Sequence, residues 1–468
     1  MIFKPSFLKT GEGVFSLPAA AHASAHPCLV GEIFGEFWRN FSLGTSVLSV
    51  SPCEGYVFSL GGASPPPLEG AEFALCVTEK GISLAAENEK ALKRGFMVLL
   101  DRFRAVDGED GVEILADACL LRDRAALPFR AVHFCVFPET ELWELQRLLR
   151  FAAALRYTHA VVEFWGMLQY EAMAELSWPF AFSKEEVRPI LDEARELGLE
   201  IIPMFNHWGH ASACRVLHGK HVVLDQDPTL QTYFTEDGWC FDIGKEKVRA
   251  LLRRVREELM ELCGEGQYFH IGCDEAYNFA FTEENMQMIA EYLGEIAEDL
   301  GRHGRRAIAW GDMFLAKREE YNAKNPYICS APSEECAAYL RARLSKKILV
   351  ADWQYDVKEA PVETAVTFRE EGFDTVICPW DRSVEGVYAC TDTAKTEGLF
   401  GVLHTTWHTL TAGMPYIMHA ALGSLEEGGR GEDLWARTHS AALFRRVMPA
   451  EGEYERAGWS KKQVDMIW

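Results

Sequence analysis

The sequence predicts an α/β fold, a (β/α)8 TIM barrel preceded by a small α/β domain. Three observations support this prediction. Short β-branched or aromatic runs alternate with longer amphipathic stretches, this alternation occurs eight times between residues 130 and 407, and a different pattern precedes it. Eight strand-helix repeats fit a closed barrel better than an open doubly wound sheet.

The eight predicted barrel strands are short apolar runs. In chain order they are RAVHFCVF (130–137), THAVVEFW (158–165), LEIIPMF (199–205), GQYFHIGC (266–273), RAIAW (306–310), KILVADW (347–353), DTVICPW (374–380) and GVLHTTW (401–407). The stretches between them, such as ELWELQRLLRFAAALR, place apolar residues at helical spacing. We therefore expect one helix after each strand.

The small domain is predicted from a different pattern, over residues 72–121. Two strands, EFALCVTE and ISLAAE, flank a turn, and a helix from Glu87 to Phe103 and a strand GVEILADACLL follow. The first 70 residues carry no clear pattern, apart from a proline-rich loop at 64–70. We place the domain boundary so that residues 1–125 form the small domain and residues 126–468 form the barrel with C-terminal helices.

Composition narrows the class of partner and the compartment. The formal net charge of -23 and the pI of about 5.1 argue against nucleic acid and anionic membranes as partners. The 13 cysteines are irregularly spaced, which is typical of reduced thiols in the cytoplasm. We find neither an export signal nor an apolar segment of about 18 residues, so we expect a cytoplasmic protein without a membrane span.

Polar and aromatic residues gather at the predicted strand ends. In a barrel of this kind, the loops after the strands converge on one face and carry the chemistry. Residues expected there include Trp165, Asn206, His207, His210, Asp274, Glu275, Trp310, Asp312, Trp353, Tyr355, Trp380, Asp381 and Trp407. Indole rings stack on the C–H faces of sugars, so the repeated tryptophans favour a sugar-binding pocket over simple core packing.

Two adjacent acids, Asp274 and Glu275, follow the fourth predicted strand. Mutual repulsion and partial burial are expected to raise the pKa of one of them, which gives an acid beside a base. Glycosidic bond cleavage needs this division of roles. The alternative is that the pair only begins a helix, where acids complement the helix dipole.

The stretch FHIGCDEA resembles the H-x-G-G-D-E signature of glycoside hydrolase family 20, the β-N-acetylhexosaminidases, with Cys273 in the second glycine position. Residues 73–102 are similar to the small domain of that family, RAVHFCV to its first barrel strand, and IIPMFNHWGHAS to its third-strand motif. The resemblance extends over roughly residues 70 to 410.

This resemblance implies a retaining exo-β-N-acetylhexosaminidase that acts on terminal β-linked N-acetylglucosamine or N-acetylgalactosamine. Glu275 would be the general acid and base. Asp274 would orient the 2-acetamido group of the substrate and stabilise the oxazolinium ion, since the sugar supplies its own nucleophile. No metal or cofactor is implied.

The resemblance also implies substrate-binding residues. Arg130 would clamp sugar hydroxyls, and His210 would hydrogen-bond near the acid. The remaining expected pocket residues are Trp310, Trp353, Tyr355, Trp380, Asp381 and Trp407. Tyr355 is the candidate for the tyrosine that binds the acetamido carbonyl in the family, because Trp380 and Asp381 stand near the position expected for it.

The sequence departs from the family pattern at three further places and leaves alternatives open. Cys135 and Asn206 stand where aspartates are common, and Thr409 stands where an acid often binds the outer hydroxyls. The choice between gluco and galacto sugars therefore stays open, as does a homodimer. Two other functions also stay open: a metal-dependent barrel hydrolase using His207, His210, His270 and Asp274, and an amino-sugar-binding barrel without catalysis.

Overall fold

The computed structural model describes residues 4–109, 111–211, 227–319, 321 and 326–449. The last part of the second predicted domain, residues 450–468, lies outside the described residues. Within the described residues, no helix combines the length and the apolar character that a membrane crossing requires.

The N-terminal part is a mixed sheet with two helices. Its strands are β1 (Phe7–Ser16), β2 (Ala20–Ala25), β3 (Val47–Pro52), β4 (Val57–Gly61), β5 (Phe73–Thr78), β6 (Gly81–Ala86), β7 (Phe103–Gly108) and β8 (Gly111–Asp123). Its helices are α1 (Glu32–Phe41) and α2 (Glu89–Asp101). The strand order is β1-β8-β5-β6-β4-β2-β3, and β7 pairs with β8. The predicted strands and helix of residues 72–121 are present, whereas β1 to β4, α1 and β7 were not predicted.

The second part is a closed barrel of eight parallel strands. They are β9 (Phe129–Cys135), β10 (His159–Glu163), β11 (Glu200–Met204), β12 (Tyr268–His270), β13 (Arg306–Trp310), β14 (Leu349–Trp353), β15 (Thr375–Cys378) and β16 (Gly401–Thr405). Each lies within or overlaps one of the eight predicted runs, and β16 pairs with β9 to close the barrel. The predicted TIM barrel is confirmed.

A helix follows each barrel strand. These helices are α3 (Leu142–Ala154), α4 (Lys184–Glu196), α5 (Glu246–Cys263), α6 (Glu283–Arg302), α7 (Glu334–Arg343), α8 (Glu363–Glu370), α9 (Val384–Thr396) and α10 (Met414–Leu425). A further helix, α11 (Asp433–Arg446), packs against α10 and α3. Local signals explain several helix starts. For example, Ser183 and Glu186 form a reciprocal capping box at the start of α4.

The barrel interior is filled by every second residue of each strand. On β9, Phe129 and Ala131 belong to the interior cluster, together with Val161 of β10 and Ile202 of β11. Because side chains alternate across a strand, the residues between these positions face the surrounding helices or the N-terminal sheet. This alternation decides which side chains can reach the mouth of the barrel.

Candidate active site

The loop that carries the acid pair begins directly after β12 and follows an unusual backbone path. Gly272, Cys273 and Glu275 have φ angles of 65°, 79° and 47°, in the left-handed region that favours glycine. A Cβ on Gly272 would lie 1.8 Å from Asn206 Oδ1, so this position requires glycine. Cys273 thus adopts a conformation that a glycine would adopt freely.

His210 lies between the two acids. Its Nε2 is 2.9 Å from Glu275 Oε2 and 3.4 Å from Asp274 Oδ2. Asp274 is almost fully buried, with 4% of its side chain exposed, whereas 26% of the Glu275 side chain is exposed. The structure therefore brings the three predicted residues together, with Glu275 the more accessible acid.

Asp312 lies beneath the pair and holds the acid loop. Its Oδ2 accepts the backbone N–H of Glu275 at 3.0 Å and the Ser330 hydroxyl at 2.7 Å, and its Oδ1 accepts Trp353 Nε1–H at 3.1 Å. Burial, and then the nearby charge of Asp274, raise the pKa of Asp312 to about 7. The sequence places Asp312 at a strand end without assigning it a role, and its partner Ser330 was missed.

Two aromatic residues on the outer side of Glu275 were also missed. Trp239 Nε1–H donates to the Glu275 carbonyl at 2.6 Å, and its ring stacks on Tyr277 with centroids 5.6 Å apart. Burial and a hydrogen bond to Glu275 raise the pKa of Tyr277. Both residues lie in loops, where neither strand nor helix periodicity marks them. The position of Tyr277 two residues after the acid was the one available signal.

The predicted aromatic residues form a continuous group. Tyr355 lies at its centre, with ring centroids 5.0 Å from Trp353 and 5.2 Å from Trp380, and its hydroxyl accepts Trp407 Nε1–H at 2.7 Å. Trp310 packs 5.9 Å from Trp407. Trp310 is fully buried, so it forms the floor beneath this group.

Two positions that depart from the family pattern have structural partners. The Thr409 hydroxyl accepts Trp380 Nε1–H at 3.1 Å, so it fixes the orientation of this ring. Asn206 Nδ2 lies 3.5 Å from Asp274 Oδ1. Asp381 follows Trp380 and is partly exposed. Its charge adds to burial in raising the pKa of Tyr416, which places Asp381 near the start of α10.

The structure corrects the expectation for Arg130. It is the second residue of β9, at the opposite end from the acid loop, and it alternates with the interior residues Phe129 and Ala131. Its guanidinium donates to the carbonyl oxygens of Leu127 and Arg156, at 2.6 to 3.1 Å. Burial, and then the neighbouring Arg94, lower the pKa of Arg130 to about 9. Arg130 is therefore not brought to the acid pair.

The four metal ligands considered from the sequence do not form a cluster in the described part of the chain. His207 Nδ1 contacts the Phe205 carbonyl at 2.6 Å, and burial lowers the pKa of His207 well below its usual value. His270 Nδ1 accepts the Gly272 N–H at 3.1 Å. The group of possible metal ligands that does come together among the described residues consists of His133, Cys135 and Glu163.

Comparisons with known proteins agree with this architecture. Residues 162–383 match the model of the glycosyl hydrolase family 20 catalytic domain. Hexosaminidase D of Bos taurus is 28% identical over 191 residues, which cover 41% of this chain and 44% of that protein. The match thus spans less than half the length of that relative.

Solved structures show the same fold. The chitobiase of Flavobacterium johnsoniae superposes with a TM-score of 0.69 at 16% identity, over 99% of this chain and 74% of that one. The family 20 β-N-acetylhexosaminidase of Streptomyces coelicolor A3(2) superposes with a TM-score of 0.68 at 15% identity, over 95% of each chain. At these identities, the likeness is one of fold.

Proposed function

We propose that the chain, whose residues 162–383 match the catalytic domain of glycosyl hydrolase family 20, is a member of this family and a retaining exo-β-N-acetylhexosaminidase. Its substrates are glycans with a terminal β-linked N-acetylglucosamine or N-acetylgalactosamine. The hydrolysis uses the acetamido group of the substrate as the nucleophile and passes through an oxazolinium ion.

One observation carries the proposal, namely the unequal exposure of two adjacent carboxylates that share His210. Glu275 is the exposed member and can reach a glycosidic oxygen, whereas Asp274 lies deeper in the site. The glycosidic oxygen and the 2-acetamido group are on neighbouring carbons of one sugar ring. Two consecutive side chains can therefore address both groups at once.

The first step breaks the bond between C1 and the glycosidic oxygen. Glu275 donates its proton to this oxygen, the acetamido oxygen attacks C1, and the leaving group departs as an alcohol. The positive charge of the resulting oxazolinium lies next to Asp274, whose carboxylate stabilises it.

The second step returns the proton. Glu275, now ionised, takes a proton from water, and the hydroxide forms a bond to C1 as the acetamido oxygen leaves. Two inversions at C1 give retention of the β configuration. His210 Nε2 lies 2.9 Å from Glu275 Oε2 and positions the Glu275 carboxylate through both steps.

The aromatic group supplies the sugar pocket. Trp353, Trp380 and Trp407 surround Tyr355, and their indole faces suit the C–H surfaces of one sugar ring. Burial raises the pKa of Tyr355 far above its usual value, so its hydroxyl keeps its proton and can donate to the acetamido carbonyl. These properties support Tyr355 for the role that a tyrosine has in the family.

The proposal is tested by comparing two substrates that differ only at C2. We expect a chromogenic β-N-acetylglucosaminide to be hydrolysed at least about 10²-fold faster than the matching β-glucoside, because only the first carries an internal nucleophile. A thiazoline analogue of the cyclised acetamido group should inhibit competitively. Comparable hydrolysis of both substrates would reject the substrate-assisted route.

We also propose a cytoplasmic location. Twelve cysteines lie in the described residues as free thiols, seven of them buried, which suits a reducing compartment. Fractionation of cells that produce the protein tests this, with recovery in the cytoplasmic fraction as the expected result.

A further inference from the structure

A buried group of three side chains lies at the ends of the first two barrel strands. His133 and Cys135 are two residues apart on β9, so both point into the barrel, and Glu163 is the last residue of β10. Glu163 is directly paired with Cys135 in the strand register. The closure of the barrel therefore brings a nitrogen, a sulfur and an oxygen ligand to one point.

The distances within this group suit a tetrahedral metal ion. His133 Nε2 is 3.3 Å from Glu163 Oε2, and Cys135 Sγ is 3.4 Å from each of these two atoms. A tetrahedral zinc ion with bonds of about 2.0–2.3 Å separates its ligand atoms by about 3.3–3.6 Å. A charge-assisted hydrogen bond between histidine and a carboxylate is shorter, at about 2.7–2.9 Å.

The surroundings of the group also favour a cation. The His133 and Glu163 side chains are 0% and 1% exposed, and Cys135 is fully buried. A buried carboxylate is costly unless a positive charge compensates it. Among the described residues, His133 Nδ1 has no hydrogen-bond partner, so the polar contacts of this ring lie on the Nε2 side.

We propose that His133 Nε2, Cys135 Sγ and Glu163 Oε2 bind a divalent transition metal, with Zn²⁺ as the ion that this ligand set fits best. Water completes the tetrahedron. Binding releases the thiol proton of Cys135 to the solvent, so the affinity rises with pH. The site was not expected from the sequence, in which 28 residues separate Cys135 from Glu163.

The metal has a positioning role. The His133 ring packs edge-on against Trp407, with centroids 4.9 Å apart, and lies 6.2 Å from Trp310. A metal held by His133 would therefore fix the floor on which the aromatic group rests. The metal takes part in no step of the proposed hydrolysis, so a failed metal titration and a failed hydrolysis assay are distinguishable.

The test is a titration of the full chain, freed of metal by dialysis against a chelator, with Zn²⁺ alone in a calorimeter. We expect one equivalent to bind. We expect Glu163→Gln and Cys135→Ala to weaken binding at least about tenfold. Cys390→Ala, which removes a buried thiol of α9, should bind as the wild type does. Co²⁺ should give a thiolate charge-transfer band that Cys135→Ala abolishes.

Two results would overturn the proposal. One is the absence of a bound equivalent in the wild type at micromolar Zn²⁺, and the other is unchanged binding in both ligand variants. Circular dichroism checks that each variant is folded. If Cys135→Ala fails to fold, the titrations of the wild type and of the nearly isosteric Glu163→Gln still test whether the metal site exists.

Discussion

The carboxylate of Asp312 accepts the backbone N–H of Glu275 at 3.0 Å, which ties the loop after β12 to the end of β13. Glu275 has a φ of 47°, a conformation that a non-glycine residue adopts at a cost of about 1–2 kcal/mol. The hydrogen bond to a buried acceptor helps to offset this cost. The position of the proposed acid therefore depends on a residue that follows the next barrel strand.

Asp312→Asn should weaken this anchor. Three donors, from Glu275, Ser330 and Trp353, point at the two carboxylate oxygens, and an asparagine replaces one oxygen by a donor. We expect the free energy of unfolding to fall by about 1–3 kcal/mol and kcat to fall as well. Urea denaturation and the hydrolysis assay measure the two effects. Unchanged values of both would show that the anchor is dispensable.

The pH dependence of stability gives a separate prediction for Asp312. Its pKa is raised from 3.8 to about 7 in the folded protein, so the folded state holds this proton more tightly than the unfolded chain. The contribution of Asp312 to stability is therefore full below pH 3.8 and is lost as the pH rises through about 7.

In Asp312→Asn, the side-chain amide does not titrate, so the variant lacks this pH-dependent contribution to stability. We expect the difference in free energy of unfolding between the wild type and the variant to shift in favour of the variant as the pH rises across this range. Denaturant titrations in a pH series measure it, and a constant difference would contradict the raised pKa.

Glu275→Gln should remove the proposed proton donor while keeping the size of the side chain. We expect kcat to fall by about 10²–10⁴-fold on an N-acetylglucosaminide with a poor leaving group, with an unchanged melting temperature. Glu284→Gln, an exposed position on α6, is the matched control and should retain full activity. If Glu275→Gln hydrolyses the substrate at the wild-type rate, Glu275 is not the general acid.

Gly209 should tolerate no side chain, because a Cβ there would lie 1.9 Å from the Asp274 carbonyl oxygen. We expect Gly209→Ala to displace the acid loop, to lower stability by about 1–3 kcal/mol and to abolish most activity. Gly294→Ala is the control. It lies within α6 with nothing within 4 Å of the added Cβ, and it should stabilise the protein by about 0.4–1 kcal/mol. Equal stability and activity of the two variants would contradict the close approach of Gly209 to the Asp274 carbonyl.

Substitutions of Arg130 and Trp407 should have different effects, the first on protein stability and the second on substrate binding. Arg130→Gln leaves the Leu127 and Arg156 carbonyls without their charged donor, and we expect a lower melting temperature with an unchanged KM. Trp407→Ala should instead raise KM, because Trp407 belongs to the aromatic group that we propose as the sugar pocket. A raised KM in a folded Arg130→Gln would restore the hydroxyl-clamp role.

Local patterns in the sequence predicted much of the architecture. The eight barrel strands and their helices repeat a strong hydrophobic periodicity, and the acid pair directly follows one of these strands. The β1 to β4 strands were missed because β1 is almost entirely exposed and β2, β3 and β4 are short and partly exposed, so that they lack a strong apolar run. Their pairing is mixed, with β2 parallel to β3 and antiparallel to β4. β7 was missed because it begins where the pattern of α2 ends.

By itself, the sequence determined that a barrel forms and that Asp274 and Glu275 lie at its mouth, because periodicity and adjacency are local properties of the chain. Only the tertiary structure decided that Arg130 faces away, that Asp312 holds the Glu275 backbone, and that His133, Cys135 and Glu163 meet. These relationships depend on which face each strand turns inward and on the register between neighbouring strands. A shift of one residue reverses every side chain of a strand, and the closed barrel as a whole sets that register.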